Sequence, residues 1–260
     1  MPLATPFNQP SKKSLKRYLR RFIFLSSFLL ILFGLLSQPR FLFSTAAYLF
    51  PGALYAVEPP ADSDQQPQKI VALTIDDGPS DTTPEILTVL ERHGVNATFF
   101  NISDYLPGHE QTVQQAASQG HELGNHLTAD IPSIRLSAEA FEADLLAAEA
   151  AVLPLLPEEN ATLRWLRPGM GFYNTEMVRI AQRHGYQLVL GSNFPYDTHI
   201  PSSRFAIAFI LKTIQPGDII VLHDDDEGRG DRTLSTLKTI LPALQKRGYT
   251  ITTLSELTAE

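Results

Sequence analysis

Apolar residues fall along this chain in two alternating rhythms. Ile70-Val71-Ala72-Leu73-Thr74-Ile75 is a short apolar run ending in charge and glycine, the pattern of a buried strand. Thr83-Pro84-Glu85 then has the form of a helix start: a threonine cap, proline at the first position, an acid. Ile86, Leu87, Val89 and Leu90 continue at helical spacing until Gly94. The alternation recurs. Strands are predicted at 95–100, 122–125, 163–166, 186–190, 218–222 and 249–253, and helices at 109–119, 137–153, 175–184, 203–214 and 232–246. Strands alternating with helices imply an α/β fold with a mainly parallel sheet, open or closed into a barrel.

Ahead of Lys69 the pattern changes. Lys12, Lys13, Lys16, Arg17, Arg20 and Arg21 precede an apolar run from Phe22 to Leu36. That order marks a signal peptide or a signal anchor, basic side cytoplasmic. The strict apolar run is 15 residues, short of the ~20 a membrane span needs. After Gln38-Pro39-Arg40 a second apolar stretch runs from Phe41 to Val57. The expectation is a leader over 1–57, either cleaved near Ser44-Thr45-Ala46 or Ala56, or kept as an anchor. Residues 58–68 are proline-rich and polar and read as a linker. The folded domain is expected over 69–260, outside the cytoplasmic membrane, anchored or secreted.

Composition sharpens this division. Residues 1–57 carry seven basic residues and no acid, which leaves 14 basic against 28 acidic residues beyond. An acidic domain is a poor partner for nucleic acid. With no cysteine, a disulfide scaffold, a thiolate nucleophile, a zinc finger and an iron–sulfur site are excluded. No phosphate-cradling glycine loop supports a kinase or nuclease.

In parallel α/β sheets, sites form at the C-terminal ends of strands. After the first predicted strand stand Asp76, Asp77, Gly78 and Pro79; after the third, His126 and then Asp130. Arg167 follows Leu166, Asp197 follows Leu190 at some distance, and His223-Asp224 follows Leu222 directly. Two adjacent carboxylates repel each other unless a cation or base separates their roles. One can ligate a metal while the other takes a proton from water. His126 and Asp130, four apart, would share one face of a helical turn and could reach one ion. With Asp77 they make three ligands and an open position. His223 could be a general acid, with Asp197 tuning it or standing as a plain loop acid. Arg167 could orient Asp76 or form a surface ion pair. The acidic run from Asp224 to Glu227 reads mostly as a solvated loop.

These residues, in this order, resemble the polysaccharide deacetylase family, the NodB-homology domain of carbohydrate esterase family 4. The resemblance runs from about Lys69 to Leu257. Thr74-Ile75-Asp76-Asp77-Gly78-Pro79 looks like the family's first motif, and Gly124-Asn125-His126-Leu127-Thr128-Ala129-Asp130 like its second. Arg167-Pro168-Gly169-Met170-Gly171 resembles the third loosely; Asp197 fits the fourth and Leu222-His223-Asp224 the fifth. The resemblance implies a distorted (β/α) barrel with fewer than eight strands. It implies metal-dependent removal of an N- or O-acetyl group from an extracytoplasmic glycan by a monomeric enzyme. Asp76 would be the base, His223 the acid, Arg167 and Asp197 their supports, and Asp77, His126 and Asp130 the ligands of one divalent ion. Gly169, Met170 and Leu222 would face the substrate and its oxyanion, with a backbone N–H near Gly169 as donor.

Three positions depart from the family pattern. Asp130 stands where a second histidine is usual, Met170 where an aromatic residue lines the sugar site, and Thr198 where tryptophan follows the aspartate. A carboxylate ligand weakens the metal as a Lewis acid. Zinc is the first expectation, with cobalt, nickel, manganese and magnesium open. Two other readings remain: a hydrolase of the same fold acting on another amide or ester, and a non-catalytic glycan-binding or envelope scaffold protein.

Overall fold

In a computed structural model of the 260-residue chain, the described residues are 12–61, 65–157 and 161–259. They divide into two units at Pro39/Arg40. The first contains one helix, α1 (Lys12–Ser37). Among the described residues, no helix is long and apolar enough to cross a membrane.

The second unit opens with α2 (Arg40–Leu49) and β1 (Ala53–Leu54). Then come β2 (Ile70–Gly78), α3 (Thr83–His93), β3 (Thr98–Asn101), α4 (Glu110–Ser118) and β4 (Glu122–Asn125). The alternation continues through α5 (Ala138–Val152), β5 (Trp165–Leu166), α6 (Thr175–Arg183) and β6 (Gln187–Val189). It ends with α7 (Ser203–Thr213), β7 (Ile219–His223), α8 (Arg229–Lys246), β8 (Thr250–Thr252) and α9 (Leu254–Leu257). The strand order is β1-β6-β5-β4-β3-β2-β7, with β8 off that path against β2. Every strand pairing is parallel. The two ends of the path approach each other where Asn193, past β6, bridges Ile220 on β7. The result is the expected distorted (β/α) barrel.

Side-chain alternation along the strands decides what faces the barrel interior. Val71, Leu73 and Ile75 of β2 pack outward with Ile86, Leu90, Leu237 and Leu241 of α3 and α8. Ala72 packs the other way with Phe100, Trp165, Val189 and Ile219. Continuing the same parity puts Thr74 and Asp76, His126, Arg167 and His223 on the inner side at the C-terminal ends of their strands. Leu222 falls on the outward parity; it is 0% exposed and belongs to the core under the helices.

The domain boundary differs from the sequence expectation. Residues 40–57 belong to the barrel unit. β1 pairs with β6, Ala53 beside Leu188 and Leu54 beside Val189. Val57 N–H donates to the Gly217 carbonyl at 2.9 Å. Gly217 has φ +80°, and a Cβ there would lie 1.9 Å from the Val57 carbonyl oxygen, so only glycine lets the segment approach. Arg40 bonds the Pro216 carbonyl and lies 3.8 Å from buried Asp218. Within this second apolar stretch only Ala53 and Leu54 form a strand of the sheet; Phe41, Tyr48, Leu49 and Phe50 of α2 and the turn after it stay exposed. The two expected cleavage points fall within α2 and beside β1. The described part of 58–68 also folds back on itself, with Gln68 N–H donating to the Pro60 carbonyl at 2.9 Å.

Candidate active site

Three buried pairs meet at the C-terminal rim. Asp76 Oδ1 accepts from Arg167 Nη1 at 2.5 Å. The same nitrogen donates to Thr74 Oγ1 at 2.8 Å, and the guanidinium lies 4.2 Å over the Phe100 ring. The planar fork is held by a carboxylate, a hydroxyl and an aromatic face, which fixes where Asp76 points.

The second pair joins Asp77 to His126. His126 Nδ1 is 2.7 Å from the Arg167 carbonyl oxygen, which can only accept, so Nδ1 carries the proton. His126 Nε2 then faces Asp77 Oδ1 at 3.1 Å. A neutral ring would set a lone pair against a carboxylate oxygen, so a proton or another cation must lie between them. This is the arrangement of residues able to hold a metal ion, with the ring's second nitrogen already oriented. Burial works to raise both side chains' interactions with charge. For Asp77 it raises the pKa, but the His126 bond and the charges of His126, His223 and Arg229 outweigh it and hold the carboxyl well below the usual carboxylate range.

The third pair is Asp197 with His223. Asp197 Oδ1 lies 3.0 Å from His223 Nδ1, and its Oδ2 accepts the His223 backbone N–H at 3.0 Å. Burial lowers the imidazole pKa, yet Asp197, helped by Asp76 and Asp77, pushes it up to about 9. His223 therefore holds its proton at neutral pH. Asp76 and His223 are neighbours in register on β2 and β7.

The backbone at the rim is unusual. Asp77, Leu127, Met170 and Tyr196 all have φ near +60° although none is glycine. Asp77 lies at the irregular end of β2, where the register with β3 shifts, and the other three follow strand ends.

Several expectations need correction. The segment after His126 forms no helical turn; Leu127 turns left-handed, so the spacing of four does not stack Asp130 on His126. Asp130 is half-buried, and burial and the Asp77 charge raise its pKa. Among the described residues no group of three His, Asp or Glu is drawn together tightly enough to hold an ion. The Gly169 N–H is no free oxyanion donor: it donates to Ser133 Oγ at 2.7 Å. A Cβ at Gly169 would lie 2.1 Å from the Ile131 carbonyl, so this glycine serves close packing of two loops. Leu222, turned into the outer core, does not face substrate. Met170 does stand at the surface, 56% exposed. Asp224 and Asp225 are buried, not solvated; Asp224 accepts from Ser80 Oγ and Thr83 Oγ1, both at 2.5 Å, and so ties β7 to the start of α3.

Other residues at the site were not found by sequence reasoning. Phe194 packs edge-on against His223, ring centroids 5.7 Å apart. Arg229 Nη1 donates to Asp77 Oδ2 at 3.0 Å. The acidic run just before Arg229 hid it, because that run looks like a solvated loop; α8 also begins three residues earlier than expected.

Known proteins share both the sequence pattern and the fold. The polysaccharide deacetylase family model matches residues 63–189. A peptidoglycan-N-acetylglucosamine deacetylase of Bacillus cereus is 35% identical over 193 residues, covering 73% of this chain and 88% of that protein. A chitooligosaccharide deacetylase of Sinorhizobium fredii is 32% identical over 196 residues, with 72% and 90% coverage. Among solved structures, a mutant of a family pseudoenzyme from Bacillus anthracis, described as having restored enzymatic activity, superposes with a TM-score of 0.70 at 25% identity over 81% of this chain and 72% of that one. On this fold and this level of identity, the chain belongs to the polysaccharide deacetylase family, as one of its hydrolases.

Proposed function

We propose that the chain removes an acetyl group from an amino sugar of a glycan outside the cytoplasm, with a divalent cation as cofactor. The carrying observation is the side-by-side placement of Asp76 and His223 on β2 and β7, each with its own partner. Asp76, aimed by Arg167, takes a proton from the water that attacks the acyl carbon. The carbon–nitrogen bond then breaks, and His223 gives its proton to the leaving amine. The products are acetate and a free amino sugar. Asp77 and His126 are the residues that would hold the cation. What it would supply is Lewis acidity toward the acyl oxygen. The relatives' names support an N-acetylated glycan of peptidoglycan or chitin-oligomer type. Support for the location comes from the basic cluster followed by an apolar run in α1.

The test is acetate release from an N-acetylglucosamine oligomer and from a simple acetyl ester by the full chain. It is run before and after chelation and after return of Zn²⁺, Co²⁺ or Mn²⁺, with Asp76→Asn alongside. Release that stops on chelation, returns with metal and is lost in Asp76→Asn is the expected result. Undiminished release by Asp76→Asn would remove the assigned base, and no release with any acyl substrate or metal would favour a non-catalytic scaffold.

A further inference from the structure

Arg229 is the unexplained charge at the rim. It is the first residue of α8, its side chain is 17% exposed, and it touches two buried carboxylates at once. Nη1 donates to Asp77 Oδ2 at 3.0 Å, and Nε is bonded to Asp225. Asp225 is itself fixed, because its Oδ1 accepts the backbone N–H groups of Glu227 at 2.9 Å and Arg229 at 3.2 Å. Asp130 also acts on the guanidinium through its charge. Asp77 is thus shared: one oxygen faces His126 and the other is held by Arg229.

We propose that Arg229 is a resident cation of the Asp77 site, which a divalent ion must displace to bind. The inference rests on the metal-dependent reading above. The physical grounds are on both sides of the exchange. A guanidinium cannot lose its charge in a protein, so it competes for the carboxylate at every working pH and repels a second cation beside it. Asp225 gives it somewhere to stay: released from Asp77, the arginine keeps a buried anion on the same turn of chain and need not be expelled into water. The pair Asp77–Arg229 therefore neutralises the rim before metal binds. The arrangement weakens cation affinity without removing a ligand.

Calorimetric titration of the metal-free full chain with Zn²⁺ alone, and with Mn²⁺ alone, tests this. Arg229→Gln is expected to bind about tenfold more tightly than the native chain, a difference of ~1.4 kcal/mol. Arg229→Lys keeps a charge but not the fork that spans two carboxylates, and should fall between them. Circular dichroism establishes that each variant is folded. Equal or weaker binding by folded Arg229→Gln overturns the proposal while leaving the metal-dependent reading intact. If Arg229→Gln is not folded, Arg229→Lys decides alone, and affinity equal to or below the native value overturns the proposal. Absence of binding by native chain and variants together removes the metal-dependent reading and this proposal with it.

Discussion

Glu122 at the N-terminal end of the barrel and the acids at the C-terminal end are carboxylates in very different company. At the N-terminal end, Glu122 accepts only from neutral donors: Thr98 Oγ1 at 2.7 Å, Trp165 Nε1 at 2.8 Å, the Ser255 N–H at 3.2 Å and the Ser255 hydroxyl. The adjoining α9 begins with a complete capping box on Thr253 and Glu256. Every demand there is met within the fold, and the network locks strands to the last helix. At the C-terminal end, Asp76, Asp77 and Asp197 face Arg167, His126, Arg229 and His223, with left-handed backbone at Asp77 and Tyr196. Those carboxylates are matched to charged or titratable groups, whose balance a substrate or cation can change. A half-buried acid satisfied by neutral donors stabilises; a buried one matched to titratable groups can move protons.

Exchanging the isosteric amide at both ends should separate these roles most widely. His223→Gln, which removes the proposed proton donor, is expected to lower the rate of acetate release by about 10²–10⁴. Glu122→Gln should leave that rate within a small factor and instead cost about 1–3 kcal/mol in a denaturant melt, because an amide donor meets donors. A loss of turnover in Glu122→Gln as large as that in His223→Gln would erase the distinction between the two ends.

The sheet edge gives the next effect. A chain beginning at residue 58 lacks α2 and β1 and leaves Asp218 without Arg40. It should be less stable than one beginning at residue 40 by on the order of 2–4 kcal/mol. Superimposable thermal melts of the two would return residues 40–57 to the leader.

A smaller change sharpens the rim itself. His223 is raised to about 9 in the folded chain, above its ordinary value of about 6.5. Its contribution to stability is therefore complete below about 6.5 and is lost as pH rises through about 9. The alkaline limb of the rate profile should follow the same upper value. Asp197→Asn removes the main raising partner, so the alkaline fall in rate should move to lower pH. An unmoved limb would mean another group sets it. The smallest effect belongs to Met170→Gly, which relieves a left-handed side-chain residue. It should gain stability of about 0.5–1 kcal/mol while raising the Michaelis constant for a glycan oligomer. An unchanged constant would place Met170 outside the substrate path.

Much of the rim was legible in the chain. Asp76, Asp77, His126, Arg167 and His223 follow apolar strand runs closely, and strand ends are readable from local pattern. Gly94 announced a helix end for the same local reason and closes α3 with φ +60°, and Ser137, the first residue of the helix predicted over 137–153, caps α5. For residues 40–57 composition alone could not separate a leader from an edge strand, because both are apolar; the pairing of Ala53 and Leu54 with β6 depends on residues far along the chain. Asp130 misled because a spacing of four has its meaning only on a helix. Arg229 was hidden by the acidic run before it, and Phe194 by being an apolar residue with no charge to mark it; each touches a site residue from another part of the chain.

The chain's local order alone thus determined the alternating α/β architecture, the strand-end carboxylates and histidines, and the family. Those features depend on neighbours in sequence: apolar periodicity, caps and charged residues that terminate runs. Only the tertiary structure decided that Asp76 and His223 lie side by side, that Ala53 and Leu54 add an edge strand beside β6, and that Arg229 shares Asp77 with His126. Each of these joins residues far apart in the chain, through strand register, buried hydrogen bonds and charge, and no local pattern carries that information.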